Sequence, residues 1–193
     1  MNETKVKGNE GRRLVHTRRM EMKAYDLGEN RMLVEGELFD TRDRPPLLLQ
    51  RTPAPKRDEG FLIHGLVARL WVQGPDLTIL DAQAGMPHFP QEGCPEVLPW
   101  MKRLVGLKIA PGFTQKVKGL IGGTRGCAHL TNLFLEMGAV AVQGYWTAYG
   151  RGAGGRSPKK PALSRLSGNC YVWRADGPLA RSIRSAEKEE REP

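Results

Sequence analysis

Two cysteines and a histidine are the residues of this chain best placed to do chemistry: Cys94, which precedes a proline, and Cys127 in the string GGTRGCAH, two residues before His129. Proline favours the first position of a helix, so Cys94 is expected at or near an N-cap. Cys127, behind a glycine-rich turn and ahead of a long apolar-periodic run, is expected at the same kind of position. A helix N-terminus carries partial positive charge and unpaired N–H groups, which favour thiolate over thiol. Thiolate and imidazole so placed either ligate a metal ion or form a nucleophile–base pair. The expected metal set is Cys94, Cys127 and His129, joined by Asp81 at the end of the strand LTILD and by Cys170 if its segment folds back. Zinc accepts such mixed sulfur, nitrogen and oxygen ligation, and an iron–sulfur cluster is the other cofactor considered. In the metal-free alternative Cys127 attacks an acyl or other electrophilic substrate with His129 as its base. Each residue also has a plain structural reading: a buried cysteine as a small hydrophobe, the histidine as a helix cap, Asp81 as a turn residue. His16, His64 and His88 are weaker candidates.

Charge narrows the partners. The net charge of +9 comes from 30 basic against 21 acidic residues, and Lys102, Arg103, Lys108, Lys116, Lys118 and Arg125 bracket the cysteines. Arg103, Lys116 and Arg125 are therefore the expected contacts for an anionic small molecule or an acidic partner protein. Nucleic acid is not favoured, since aromatics make up only 7% and no helix-turn-helix, zinc-finger or aromatic RNA-binding signature is present. A third class of function, a basic adaptor or nucleic-acid binder whose cysteines merely fill a core, stays open. An odd count of 3 widely spaced cysteines argues against a disulfide framework and for reduced thiols. With no run long and apolar enough for a membrane span and no signal-like N-terminus, a cytoplasmic location is expected.

The elements that must position these residues fall into two halves. Residues 1–15 are polar and aperiodic, and are expected to be disordered. Alternation of apolar residues over 17–27 and 31–42, about Gly28-Glu29-Asn30, predicts one hairpin; 63–72 and 77–84, about Gly74-Pro75-Asp76, predict another. Four prolines and many charges make 43–60 a loop. After Gly85 the period changes from 2 to about 3.6. Val97, Leu98, Met101, Leu104 and Val105 stripe a first helix; Phe113, Val117, Leu120 and Ile121 a second; Leu130, Leu133, Phe134, Met137, Val140 and Ala141 a longer third. The fold class is thus α+β: a meander of about four antiparallel strands over 16–85, with about three helices over 95–149 on one face. One domain is expected over 16–150, then a Gly/Pro/Arg-rich linker and returning segment over 151–180 and a charged tail over 181–193.

The strings HTRRMEM, LTILDAQAG, GCP, GGTRGCAHL and CYVWRADGP together resemble a widespread bacterial family catalogued as a domain of unknown function, over most of residues 16–180. More remotely, an I-x-D-A strand, a Gly-Cys at a helix start and a second cysteine opening a longer helix are similar to iron–sulfur scaffold proteins of the NifU and SufU type. That resemblance implies that Cys94 and Cys127 correspond to scaffold cysteines. The scaffolds' early cysteine, in a Cys-Gly-Asp turn, has no counterpart before Asp81, so His129 or Cys170 would have to take its part.

Overall fold

In the computed structural model the described residues are 11–44, 56–57, 60–149 and 170–182. Of the expected segments, residues 1–10 of the N-terminal stretch, 151–169 of the linker and 183–193 of the charged tail lie outside them. Two long hairpins build the sheet, with β1 (His16–Gly28) and β2 (Arg31–Arg42) forming the first, and β4 (Gly60–Gln73) and β5 (Thr78–His88) the second. Gly28, Glu29 and Asn30 all take positive φ, the conformation that a tight turn between twisted strands demands. All pairings are antiparallel: β1 lies against β2, β2 against β4, and β4 carries β5 on its other edge. A two-residue strand, β3 (Lys56–Arg57), adds to β4 beside Phe61, within the stretch expected to be loop throughout. This is the α+β layout that the two periodicities predict.

Alternation decides which face is covered. In β2 the residues Met32, Val34, Gly36, Leu38 and Asp40 are buried in step, and register sets Leu70, Ala68, Leu66 and His64 of β4 opposite the last four. On the other side stand Ala24, Met22, Met20 and Arg18 of β1. Three strands therefore present apolar rows, such as Met20–Leu38–Leu66, and then one polar row, Arg18–Asp40–His64. A register shift follows at once, since Asp40 faces His64 while Thr41 faces Leu62. Ile63 is the extra residue of this bulge, and bulges of this kind end regular pairing and re-aim side chains.

The helices cover that face. The first expected helix is a 3-10 helix, Cys94–Leu104, with Pro99 inside it. The Pro99 ring crowds the carbonyl of Pro95, four residues back, which disfavours α winding, and the segment takes the tighter form. Its buried residues are Met101 and Leu104, three apart. The second is α1 (Phe113–Ile121) and the third α2 (Ala128–Tyr149), whose 22 residues span about 33 Å at 1.5 Å each. Glycines let α2 lie close. A Cβ added at Gly36 would come within 2.9 Å of the Met137 sulfur and 3.1 Å of Leu133; one added at Gly138 would reach within 2.5 Å of Phe113; and one at Gly144 would meet Ala24 and Met32. Leu133 and Met137 thus sit over Gly36 and Gly144 over the turn end of β1 and β2, so α2 runs antiparallel to β2. Its N-terminus is thereby delivered to the polar row.

The chain divides into two compact units after Gly144. The sheet, the 3-10 helix and α1 belong to the first. In the second, Cys170 is exposed and the Arg174 guanidinium lies 4.0 Å from the centre of the Tyr171 ring.

Close packing at Gly36 makes a prediction. Gly36→Val forces Leu133 and Met137 off the sheet and lowers unfolding stability by roughly 2–3 kcal/mol. Gly119→Ala, in α1 with nothing within 4 Å of the added carbon, raises it by about 0.5–1 kcal/mol. Urea denaturation of both variants against the parent checks the pair.

Candidate metal centre

The site grows from the polar row. Asp40 is in phase with Leu38 and is 1% exposed, so an ionised carboxylate stands at the end of an apolar face. An unpaired charge there would be costly, and the neighbouring strand supplies its partner. Arg18, directly across on β1, donates from Nε to Oδ1 and from Nη2 to Oδ2, both at 2.7 Å. This bidentate fork is the strong form of the arginine–carboxylate pair. From β4, His64 Nδ1 lies 3.0 Å from Oδ2. His16 Nε2, at the start of β1, lies 3.4 Å from Oδ1. Burial opposes ionisation of Asp40 most strongly, yet the bonds from Arg18 and His64 outweigh it and hold the carboxyl well below the usual range. Reciprocally, the hydrogen bond to Asp40 raises Arg18 above its ordinary value.

Helix α2 brings the second imidazole. The backbone N–H of Thr131 donates to Cys127 O at 2.8 Å, which makes Cys127 the cap residue before Ala128. The Thr131 hydroxyl lies 2.8 Å from both Cys127 O and Ile121 O, pinning the helix start to the end of α1. His129, in the first turn, then points Nε2 at the sheet, 3.6 Å from Asp40 Oδ2. Its ring stacks against His64 with centres 4.0 Å apart. Burial first, and then the positive charge of His64 and Arg18, push the His129 imidazolium down to about 4. At neutral pH His129 is an uncharged imidazole. Its other nitrogen, Nδ1, faces the Cys127 sulfur at 3.7 Å.

One ligand atom each from Asp40, His64 and His129 lie within 4.8 Å of one another, and this is the group of three such donors that the described residues assemble. Bonds of about 2.1 Å to a common ion place neighbouring donors about 3.0 Å apart at right angles and about 3.4 Å apart at tetrahedral angles. The separations from Oδ2, 3.0 Å to His64 and 3.6 Å to His129, lie close to those edges.

Of the residues expected from sequence, the structure brings Cys127 and His129 together and adds Asp40 and His64, one not considered and one held weaker. Cys94, Asp81 and Cys170 are not in the converging group. Cys94 opens the 3-10 helix, with its N–H bonded to Gln91 O at 3.0 Å. Asp81, on β5, accepts from Lys102 and from Gln83, and the Lys102 bond above all lowers its carboxyl. Of the expected anion contacts, Arg103 lies over the Trp100 ring and donates to Leu120 O at 3.3 Å. Lys116 is exposed on α1, and Arg125 lines an open recess with Lys118, Gly122, Gly123 and Thr124. His88 is buried at the end of β5, across from Gly65. The missed residues did leave a signal. Asp40 extends the alternation of Met32, Val34 and Leu38, and His64 that of Leu70, Ala68 and Leu66, so both belong to the covered face, where a polar residue requires a partner.

Residues 16–143 match the model of a family described as "Protein of unknown function (DUF2889)". Nothing matches among curated proteins or solved structures, so the likeness to NifU and SufU scaffolds gains no support there. No helix among the described residues is long and apolar enough to cross a membrane.

Two outcomes follow for protein held in a metal chelator. Asp40→Asn breaks the Arg18 fork and costs about 2–3 kcal/mol of stability at pH 7, less than a fully buried pair because Arg18 keeps part of its hydration. For His129, the unfolded chain binds a proton near pH 6.5 while the folded chain does so only near 4, so stability falls as pH drops through that window. His129→Gln flattens this loss, and denaturant titrations at pH 7, 5.5 and 4 measure both effects.

Proposed function

The chain belongs to the DUF2889 family, and we propose that it is a metal-dependent protein holding one divalent transition-metal ion between Asp40 Oδ2, His64 Nδ1 and His129 Nε2. The observation that carries this reading is the convergence of one donor atom each from Asp40, His64 and His129 within 4.8 Å, from two strands and a helix start, with 3.0 and 3.6 Å from Oδ2 to the two imidazoles. Two imidazoles and one carboxylate suit zinc or iron(II), and three protein ligands leave coordination positions for water and substrate. The donors are nitrogen and oxygen, whereas iron–sulfur clusters are held chiefly by thiolates. When bound, such an ion supplies Lewis acidity toward a coordinated oxygen.

The chain's own residues prepare the site. Burial keeps His129 unprotonated at neutral pH, in the form a metal requires. Cys127 orients His129 from its far nitrogen, as an outer partner of a metal-bound histidine does. Arg18 anchors Asp40 through both oxygens and leaves the remaining lone pair of Oδ2 for the ion. His64 offers Nδ1, the nitrogen that lies 3.0 Å from Asp40 Oδ2.

A second reading rests on the line Cys127 Sγ, His129 Nδ1, His129 Nε2, Asp40 Oδ2, with gaps of 3.7 and 3.6 Å. It is a thiol–imidazole–carboxylate relay for nucleophilic catalysis. An imidazole that takes up a proton only near pH 4 is a weak general base at neutrality, which places this reading second.

Calorimetric titration with zinc, paired with elemental analysis, separates the two. The parent chain binds one equivalent; His64→Ala and His129→Ala lose binding; Cys127→Ser weakens it by about 10–100-fold; and Cys94→Ser and Cys170→Ser leave it unchanged. Retained stoichiometric zinc in His129→Ala, or loss in Cys94→Ser, contradicts the assignment. No zinc or iron(II) uptake, with Cys127 alkylated by iodoacetamide far faster than Cys170, selects the relay.

A further inference from the structure

We infer that the centre takes small molecules bearing a carboxylate, and that Arg18 is the residue that grips it; this rests on the metal reading above. The guanidinium has five N–H donors in a rigid plane, and Asp40 uses one on Nε and one on Nη2. The opposite edge, formed by Nη1 and the second N–H of Nη2, is a complete fork of its own. The Arg18 side chain is 36% exposed while Asp40 is 1% exposed, so the guanidinium reaches from the buried carboxylate to the surface. His16, 40% exposed, has Nε2 3.4 Å from Oδ1, whereas His64 and His129 converge on Oδ2.

Charge points the same way. Arg18 already balances Asp40, and His129 is neutral, so a divalent ion leaves the centre with a net positive charge that an anionic ligand offsets. A planar carboxylate matches the planar outer fork of arginine bidentately, which a point-charge lysine does not reproduce. A ligand bridging the two thus places one group on Arg18 and another toward the ion's open positions.

The test uses cobalt(II)-loaded full-length chain, with benzoate and inorganic phosphate as probes, read by visible absorption and by calorimetry. Benzoate shifts the cobalt spectrum of the parent and binds it more tightly than phosphate does. Arg18→Gln, compared with the parent at saturating cobalt, loses about tenfold or more in benzoate affinity. Arg18→Lys keeps a cation on Asp40 but has no second fork, so at saturating cobalt it shows the same loss; it decides the matter if the glutamine variant fails to fold. Benzoate affinity unchanged in the cobalt-loaded lysine variant overturns the assignment to Arg18. Phosphate binding in preference to benzoate overturns the carboxylate class. A parent chain that takes up cobalt but neither anion overturns this inference alone, whereas one that takes up no cobalt overturns it together with the metal reading.

Discussion

A carboxylate sealed inside an apolar sheet face is the constraint from which the rest of this structure follows. Asp40 is 1% exposed, and an ionised group so placed is tolerated only with its oxygens fully engaged. The requirement falls first on its cross-strand neighbours, which stand nearest, Arg18 at 2.7 Å and His64 at 3.0 Å. Arg18 on one side and His64 on the other meet it, and both are held by the same register that aligns Met20, Leu38 and Leu66 one row away. Slipping either pairing by one residue would turn every one of these side chains to the opposite face.

The helix completes what the sheet begins. Leu133 and Met137 settle over Gly36, and this contact, many ångströms from the polar row, sets how far along the sheet the first turn of α2 reaches. His129 arrives within 3.6 Å of Asp40 because Leu133, one turn later, has a glycine to rest on. The glycine-rich approach GGTRGC serves the same end. A Cβ at Gly122 would run into the Lys118 backbone, and one at Gly126 into that of Ile121, so small residues there let α1 and α2 meet end to end. Packing and chemistry are thus set by one docking.

Architecture was legible in the sequence because periodicity is local. Period-2 runs with a glycine turn between them gave the hairpins, and the change of period near Gly85 gave the helical half. The 3-10 winding of Cys94–Leu104 is the departure, caused by Pro95 and Pro99 acting on the backbone while the apolar stripe stayed helix-like. The site was less legible because its members lie 22, 24 and 65 or more residues apart, and what joins them is register. The spacing of Cys127 and His129, two residues apart ahead of an apolar-periodic run, is local and singles them out. Asp40 carries no such local signal; its meaning lies in being a charged residue in phase with the buried row of β2. Asp81 shows the converse, since this carboxylate lies inside β5 rather than at the end of a strand and has its partner in Lys102 at the surface.

The most direct measurement of the central claim is an anomalous-difference map from crystals of the chain grown with zinc, recorded on either side of the zinc absorption edge. The account predicts one strong peak about 2.0–2.2 Å from each of Asp40 Oδ2, His64 Nδ1 and His129 Nε2. A peak on the cysteine sulfurs instead, or none near Asp40 with Arg18 and His64 still closed upon it, would contradict it.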